Sequence, residues 1–185
     1  MIEITAKDIA RVQAVLQGIP GGAQKAMAAA INRGLSKVQT AASKEVRKVY
    51  AVKASSTKST TSVTKKSASA GNLVGSITFS GTKIPLYEFN VSPKAANTRQ
   101  PVRAGVMKGN LTPFARAFIT LANGHIGIFE REGNPRFPIE QKMGLSMAQM
   151  VGNDEVIAEI EQQAQETVEK RLDHEISRIL NGYGG

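Results

Sequence analysis

Residues 22–50 contain the stretch that decides the fold, GAQKAMAAAINRGLSKVQTAASKEVRKVY. Apolar side chains recur there in steps of three and four residues, at Met27, Ile31, Leu35, Val38, Ala42, Val46 and Val49. This spacing puts them on one face of an α-helix, and three successive alanines favour the helical state. We therefore predict a helix of about 40 Å, since each residue adds about 1.5 Å. A shorter helix over residues 7–17 is predicted before it.

A second helical pattern closes the chain. Its apolar stripe has the same spacing, at Ile157, Ile160, Ala164, Val168, Leu172, Ile176 and Ile179. Asp154 and Glu155 suit the N-terminal end of a helix dipole, and Arg178 suits its C-terminal end. We predict a short helical piece over residues 146–151, a break at Gly152, and one long helix after it.

The segment between the two helical parts indicates strands and loops. Residues 73–80 alternate apolar and polar side chains, which is typical of a half-buried strand, and residues 84–89 are predicted to continue that sheet. Asn123-Gly124 lies between two apolar runs and predicts a β-hairpin over residues 115–130. These patterns predict a small antiparallel sheet.

Two stretches of this middle segment are polar and are predicted to be extended loops. Residues 51–72 are rich in Ser, Thr and Lys. Ser55 or Ser56 could cap one helical turn there, and an exposed strand at residues 60–69 or a flexible linker are the alternatives for the rest. Residues 91–113 combine basic residues with Pro and Gly, and a short strand is expected at residues 102–107.

The predicted fold class is α+β, with long N-terminal and C-terminal amphipathic helices packed on a small antiparallel sheet. We expect a single domain over residues 1–185. Its parts are a helical segment at 1–50, the sheet with its loops at 51–144, and the C-terminal helix at 145–185.

Composition excludes several classes of site and location. The 185 residues include no Cys, which excludes disulfides, thiolate metal sites and cysteine nucleophiles. No run of about 18 apolar residues occurs, so we expect no membrane span. The first residues lack the basic and apolar regions of a secretory signal, and we expect a protein made in the cytosol.

Charge is distributed unevenly around the net value of +9. Residues 1–70 carry a net +9, residues 71–150 a net +5 and residues 151–185 a net −5. The basic part could bind nucleic acid or an acidic protein surface. Alternatively, the basic part of one copy could bind the acidic part of a neighbouring copy. A third interpretation is that the basic and acidic parts are simply solvated helix faces. The candidate basic contact face consists of Lys37, Lys44, Arg47, Lys48, Arg99, Arg103 and Lys108.

We find no pattern typical of catalysis or metal binding. His125 and His174 lack neighbouring ligands at metal-binding spacing, and no GxSxG or phosphate-binding loop occurs. Glu130, Glu132 and Glu140 could pair for acid–base chemistry, but basic residues surround them and favour surface ion pairs. The expectation is a protein that is not an enzyme and binds no cofactor.

A series of short sequence motifs, in a fixed order, resembles one known family. They are AAAINR at Ala28–Arg33, VRKVY at Val46–Tyr50, VKAS at Val52–Ser55, GTKIPLYEF at Gly81–Phe89, GIFER at Gly127–Arg131, RFPI at Arg136–Ile139 and SMAQM at Ser146–Met150. In this order they resemble the prophage minor tail protein Z family of long-tailed phages, over about residues 20–180. The resemblance implies a structural, non-enzymatic role in tail completion at the head–tail junction.

From the resemblance and the six-fold symmetry of phage tails we predict a hexameric ring at the head-proximal end of the tail. Its expected partners are the tail terminator or tube and the neck adaptor proteins, with non-specific contact to DNA in the channel and none to membrane. The expected location is the virion. The alternatives are a basic, non-specific DNA-binding protein and, with less support, a tail-associated hydrolase.

Overall fold

The computed structural model of the protein describes residues 1–5, 9–96, 100–122 and 124–182. The helices are α1 (Ile9–Val15), α2 (Gly22–Val49), α3 (Ala54–Thr60), α4 (Met147–Val151) and α5 (Asp154–Leu180), with a 3-10 turn at Leu86–Glu88. The strands are β1 (Ile2–Thr5), β2 (Thr61–Lys66), β3 (Val74–Gly81), β4 (Asn90–Ser92), β5 (Val102–Gly105), β6 (Thr112–Phe114), β7 (Ala117–Ala122), β8 (His125–Arg131) and β9 (Ile139–Gln141). The predicted α+β class is confirmed.

The chain divides into two compact units. The first contains Met1–Ala42, Val63–Phe79 and Asp154–Gly185, and the second contains Ser43–Ser62 and Ser80–Asn153. Helix α2 begins in the first unit, and its last two turns belong to the second. The expectation of a single domain over the whole chain stays a prediction.

The core of the first unit lies between α2, α5 and one three-stranded sheet. Most of the apolar stripe predicted for α5 is buried, and the α2 side chains Met27, Ile31, Leu35 and Val38 are completely buried. Gly34 is the point of closest approach, because a Cβ atom there would lie 2.5 Å from Val168 Cγ2. The sheet has the strand order β1-β3-β2, and Ile2 pairs with Ile77.

The second unit holds two more three-stranded sheets, of orders β4-β5-β6 and β7-β8-β9. Their core includes Val46 from the end of α2, Ile84, Ile128 and Met150. Helix α4 begins with a capping box, in which Ser146 and Gln149 bond each other's side chain and backbone.

The predicted hairpin is confirmed. Strands β7 and β8 pair from Ala117 with Glu130 up to Ala122 with His125, which leaves a two-residue turn. Gly124 has φ of +79°, a left-handed conformation that glycine adopts without a steric penalty. Asn123, the other residue of the predicted turn, lies outside the described residues.

The prediction of an extended loop over residues 51–72 is wrong for most of its length. Its first part forms α3, in which hydroxyls bond backbone carbonyls one turn back: Thr57 Oγ1 donates to Ala54 O at 2.9 Å and Thr60 Oγ1 to Ser56 O at 2.7 Å. The next part forms β2, in line with the alternative of an exposed strand. A helical turn was expected near Ser55 and Ser56, but α3 has seven residues and its N-cap is Lys53; hydroxyls that bond backbone groups locally support the helix.

Four further details differ from the sequence-based expectations. Residues 84–89 do not continue a strand. Pro85 forms only an isolated antiparallel bridge with Met143, and Leu86–Glu88 form a 3-10 turn directly after it; proline has no N–H with which to extend a ladder. The described residues form three small sheets rather than one. The strand expected at residues 102–107 is confirmed as β5, but the loop predicted at 91–113 also contains part of β4 and β6, and β1 was not predicted at all.

Candidate assembly surfaces

The end of α2 is joined to the turn between β5 and β6 in the second unit. The backbone N–H of Lys108 donates to Val49 O at 3.0 Å, and that of Ala51 donates to Val106 O at 2.9 Å. The first of these bonds satisfies a carbonyl that the helix leaves unpaired at its C-terminus. Tyr50 and Met107 form a β-bridge between the same two segments. The turn therefore holds Lys108 beside the last residues of α2.

We define the basic patch as Lys44, Arg47 and Lys48 at the end of α2, Lys108 on the turn that bonds to it, and Arg103 on the strand that leads into that turn. All five side chains are exposed and belong to the second unit. Arg103 lies on the exposed face of β5, between the buried side chains of Val102 and Ala104. All five residues belong to the contact face named from the sequence, whose role stays a prediction.

The charges of the basic patch are compensated to different extents. Lys48 forms an ion pair with the buried carboxylate of Glu45 at 2.5 Å, and Arg47 Nε donates to Ser43 O at 2.8 Å. Within the described ranges, no carboxylate oxygen lies within 4 Å of the cationic groups of Lys44, Arg103 or Lys108. Those three cations are available to an anionic partner.

Two further residues predicted for this face are Lys37 and Arg99. Lys37 is half-buried on the part of α2 that belongs to the first unit. Arg99 lies outside the described residues. Neither is included in the basic patch.

The first unit has a surface of opposite charge, which we call the acidic groove. It is a cavity of about 530 Å³ between β1 and the outer side of α5. Its lining consists of Ile2, Glu3, Ile4, Thr5, Glu161, Gln162, Ala164, Gln165, Glu166 and Glu169. This lining includes four carboxylates and no lysine or arginine. Gln162 and Gln165 donate to Glu166 and Glu169 at 3.1 and 3.0 Å, which fixes both carboxylates along the helix.

The sequence did not reveal this groove because it depends on β1. The alternation of Ile2 and Ile4 with Glu3 and Thr5 was the available signal, but four residues are too few to establish a period of two. In the structure Ile2 and Ile4 are buried and Glu3 and Thr5 are exposed, as a half-buried strand requires.

The family model for prophage minor tail protein Z matches residues 9–183. The chain belongs to the prophage minor tail protein Z family. No curated protein and no solved structure matches the chain. This match confirms the resemblance inferred from the short sequence motifs. A structural role in the tail follows for this member of the minor tail protein Z family.

Two of the three carboxylates considered for acid–base chemistry, Glu130 and Glu140, form ion pairs in this family member. Lys142 Nζ lies 2.6 Å from Glu130 and 3.9 Å from Glu140, which are cross-strand partners on β8 and β9. The hydrogen bond from Lys142 lowers the pKa of Glu130, and the positive charges of Lys142 and Arg116 act in the same direction. A general acid needs the opposite shift. Glu132 is exposed.

A second cavity, of about 590 Å³, lies within the second unit. Its lining is Ser55, Ser56, Ser59, Thr60, Pro85, Glu88, His125, Ile126 and Gln141. Burial raises the pKa of Glu88, but hydrogen bonds from Lys53 and Ser56 outweigh it and leave the pKa below its ordinary value. Ser56 Oγ donates to Glu88 at 2.8 Å, and Lys53 Nζ lies 3.0 Å away. This ionised carboxylate ties α3 to the 3-10 turn.

The histidines are placed apart from any cluster of ligands. His125 begins β8 with its ring 6.2 Å from that of Phe129, and His174 is exposed on α5. Over the described parts of the chain, no group of three His, Asp or Glu side chains could hold a metal ion. Among the same residues, no helix is long and apolar enough to cross a membrane.

Proposed function

We propose that this chain is a tail-completion subunit that assembles into a ring at the head-proximal end of the phage tail, as part of the head–tail junction. The observation that carries the proposal is the match to a minor tail protein family over residues 9–183 of 185. The protein then acts through its surfaces as a virion component and not through catalysis.

The distribution of charge supports head-to-tail assembly. A ring of identical subunits needs two different surfaces on each copy that complement each other. The acidic groove carries only negative charge, and several exposed surfaces of the chain are basic. Complementary charge orients neighbouring copies and disfavours contact between like surfaces.

Six copies are proposed, because phage tails are built with six-fold symmetry. The ring would contact the tail terminator or tube on one side and the neck adaptor on the other. A ring around the DNA path also accommodates the basic patch, since phosphate contacts need no particular base sequence.

Electron microscopy of intact tails tests the proposal directly. We expect density for six copies at the head-proximal end, and tails lacking the protein should fail to join heads. A single copy per tail, or a location at the distal tip, would contradict it. Mass photometry of the purified protein gives an independent count of the copies in each particle.

The exposed cations of the basic patch favour a second candidate function, a non-specific DNA-binding protein. The two proposals differ in what Lys44→Glu with Lys108→Glu should do. If the basic patch lines the channel, the wild-type protein should bind DNA weakly and in a salt-sensitive way, and the variant should still form rings. Micromolar or tighter DNA binding by the free protein at physiological salt, lost in this variant, would favour the second function.

A further inference from the structure

The sheet of the first unit ends in two different edges. The strand order β1-β3-β2 places β1 at one edge and β2 at the other. Among the strands of the described residues, none pairs with the outer side of either. Such an edge presents a row of unpaired backbone N–H and C=O groups, which is a template for a strand from another chain.

The two edges carry opposite charge. The outer side of β1 opens into the acidic groove, with the carboxylates of Glu161, Glu166 and Glu169 along it. Strand β2 reads TSVTKK and ends in the exposed residues Lys65 and Lys66. Its Thr and Val residues favour the extended conformation.

The lysines of β2 point to opposite sides of the sheet. Lys65 Nζ donates to Ser36 Oγ at 3.0 Å, so it lies on the side covered by α2. Lys66 follows it and, by the alternation of a strand, lies on the open side. Glu3 lies on the open side of β1, because its neighbours Ile2 and Ile4 are buried. Each edge therefore has a charge on the open face and a charge next to the helices.

The strand directions permit a closed ring. Strand β1 is antiparallel to β3, and the antiparallel bridge between Ser69 and Asn72 connects β2 to β3 as a hairpin. Strands β1 and β2 consequently run in the same direction. A rotation about an axis along the strands brings β2 of one copy beside β1 of the next in parallel orientation, and repetition of that contact closes a ring.

We propose that the ring closes by strand addition between copies: β2 of one subunit pairs with β1 of the next. Lys66 then lies near Glu3 and Lys65 near the carboxylates of α5. This inference rests on the proposed ring and names its contact. Backbone hydrogen bonds hold the strands together, and the charges select the β1–β2 pairing over β1–β1 or β2–β2.

A charge-swap experiment tests the contact. The first variant, Glu161→Lys with Glu166→Lys and Glu169→Lys, leaves Glu3 as the one carboxylate of the acidic groove beside three lysines and so makes both edges positive. The second, Lys65→Glu with Lys66→Glu, makes both edges negative. Either variant alone should reduce the hexamer fraction about tenfold through repulsion at every contact. An equimolar mixture should restore hexamers, because copies of the two variants can alternate around a ring of six.

The measurements are mass photometry of the purified proteins and the copy number of each variant in purified tails. Glu132→Lys with Glu140→Lys is the matched control, since it reverses two exposed acids of the second unit, and it should leave the ring intact. Circular dichroism checks that each variant is folded. If hexamers survive either variant alone, or if the mixture fails to restore them, the proposed contact is wrong.

Disulfide cross-linking provides a second test. Because the protein has no native cysteine, only the introduced cysteines can form disulfides. Glu3→Cys is combined in turn with Ser62→Cys, Thr64→Cys and Lys66→Cys, so that at least one pair matches the register. Oxidation should give a ladder that ends at six subunits, whereas Glu3→Cys with Lys25→Cys should give none. Intact hexamers without a ladder would overturn the strand contact alone. Tails without any ring would overturn the proposed function.

Discussion

Glu175 is a carboxylate buried within the first unit, with 1% of its surface exposed. Arg171 and Arg178 both form ion pairs with it, and their side chains keep about two fifths of their surface in water. The arginines can turn to solvent if the carboxylate is removed, but the carboxylate cannot. We expect Arg171→Met with Arg178→Met to lower the free energy of unfolding by about 3–5 kcal/mol. Glu175→Met should lower the free energy of unfolding by less, and urea unfolding measures both changes. Equal losses for the two variants would contradict the argument that only the carboxylate is trapped away from water.

Gly34 allows α2 and α5 to approach each other in the first unit. A methyl group there would lie 2.5 Å from Val168 Cγ2, a buried and branched side chain with little freedom to move. We expect Gly34→Ala to destabilise the protein by about 1–3 kcal/mol, despite its better helix propensity. Adding Val168→Ala should recover about 1 kcal/mol relative to the sum of the two single effects. Additive unfolding free energies would show that the two residues do not press on each other.

Glu130 gives a pH dependence whose sign follows from its pKa, which the hydrogen bond from Lys142 lowers. The stabilisation from this pair is complete above the unfolded pKa of about 4.3. It is lost as the pH falls through the lower folded value. The difference in Tm between wild type and Glu130→Gln should therefore be fully present at neutral pH and should shrink as the pH falls below the unfolded pKa and through the lower folded one. Glu132→Gln is the control, and a Tm difference that grows in acid would refute the assignment.

The turn between β5 and β6 is the element that positions Lys108. A Cβ atom at Gly105 would lie 1.7 Å from the backbone oxygen of Asn110, and a backbone atom cannot move aside as a side chain can. We expect Gly105→Ala to cost about 3 kcal/mol or more and to speed hydrogen exchange at the Lys108 amide. Gly71→Ala, where nothing lies within 4 Å of the added methyl, should change the stability by less than about 0.5 kcal/mol. Unchanged exchange at Lys108 would contradict the role of Gly105.

The elements differ in how far the sequence predicts them. Helices α2 and α5 span 28 and 27 residues, so their apolar period repeats often enough to give both bounds within a residue or so. Strands β1 and β2 have four and six residues, and their pairing with β3 is decided by contacts with distant segments. The Asn-Gly hairpin was predictable because its signal is local.

The same distinction applies to the candidate site. Exposure of Lys44, Arg47 and Lys108 follows from helix period and loop composition, and all three were predicted. Their grouping depends on the bond from the Lys108 amide to Val49 O, which joins residues 59 positions apart. The acidic groove needs both β1 and α5, which lie at opposite ends of the sequence. Periodicity within one segment carries no information about such long-range placement.

At the scale of the whole molecule, uneven charge makes assembly sensitive to salt. The N-terminal 70 residues carry a net charge of +9 and the last 35 a net −5. Raising the salt concentration from 0.1 to 1 M shortens the screening length from about 10 to about 3 Å. If the ring depends on attraction between such surfaces, this screening weakens the contact between its subunits. We expect mass photometry to show hexamers dissociating over this range, and the charge-swapped mixture to follow the same curve. Hexamers that persist or strengthen in 1 M salt would indicate an apolar interface, since burial of apolar surface is not screened by ions.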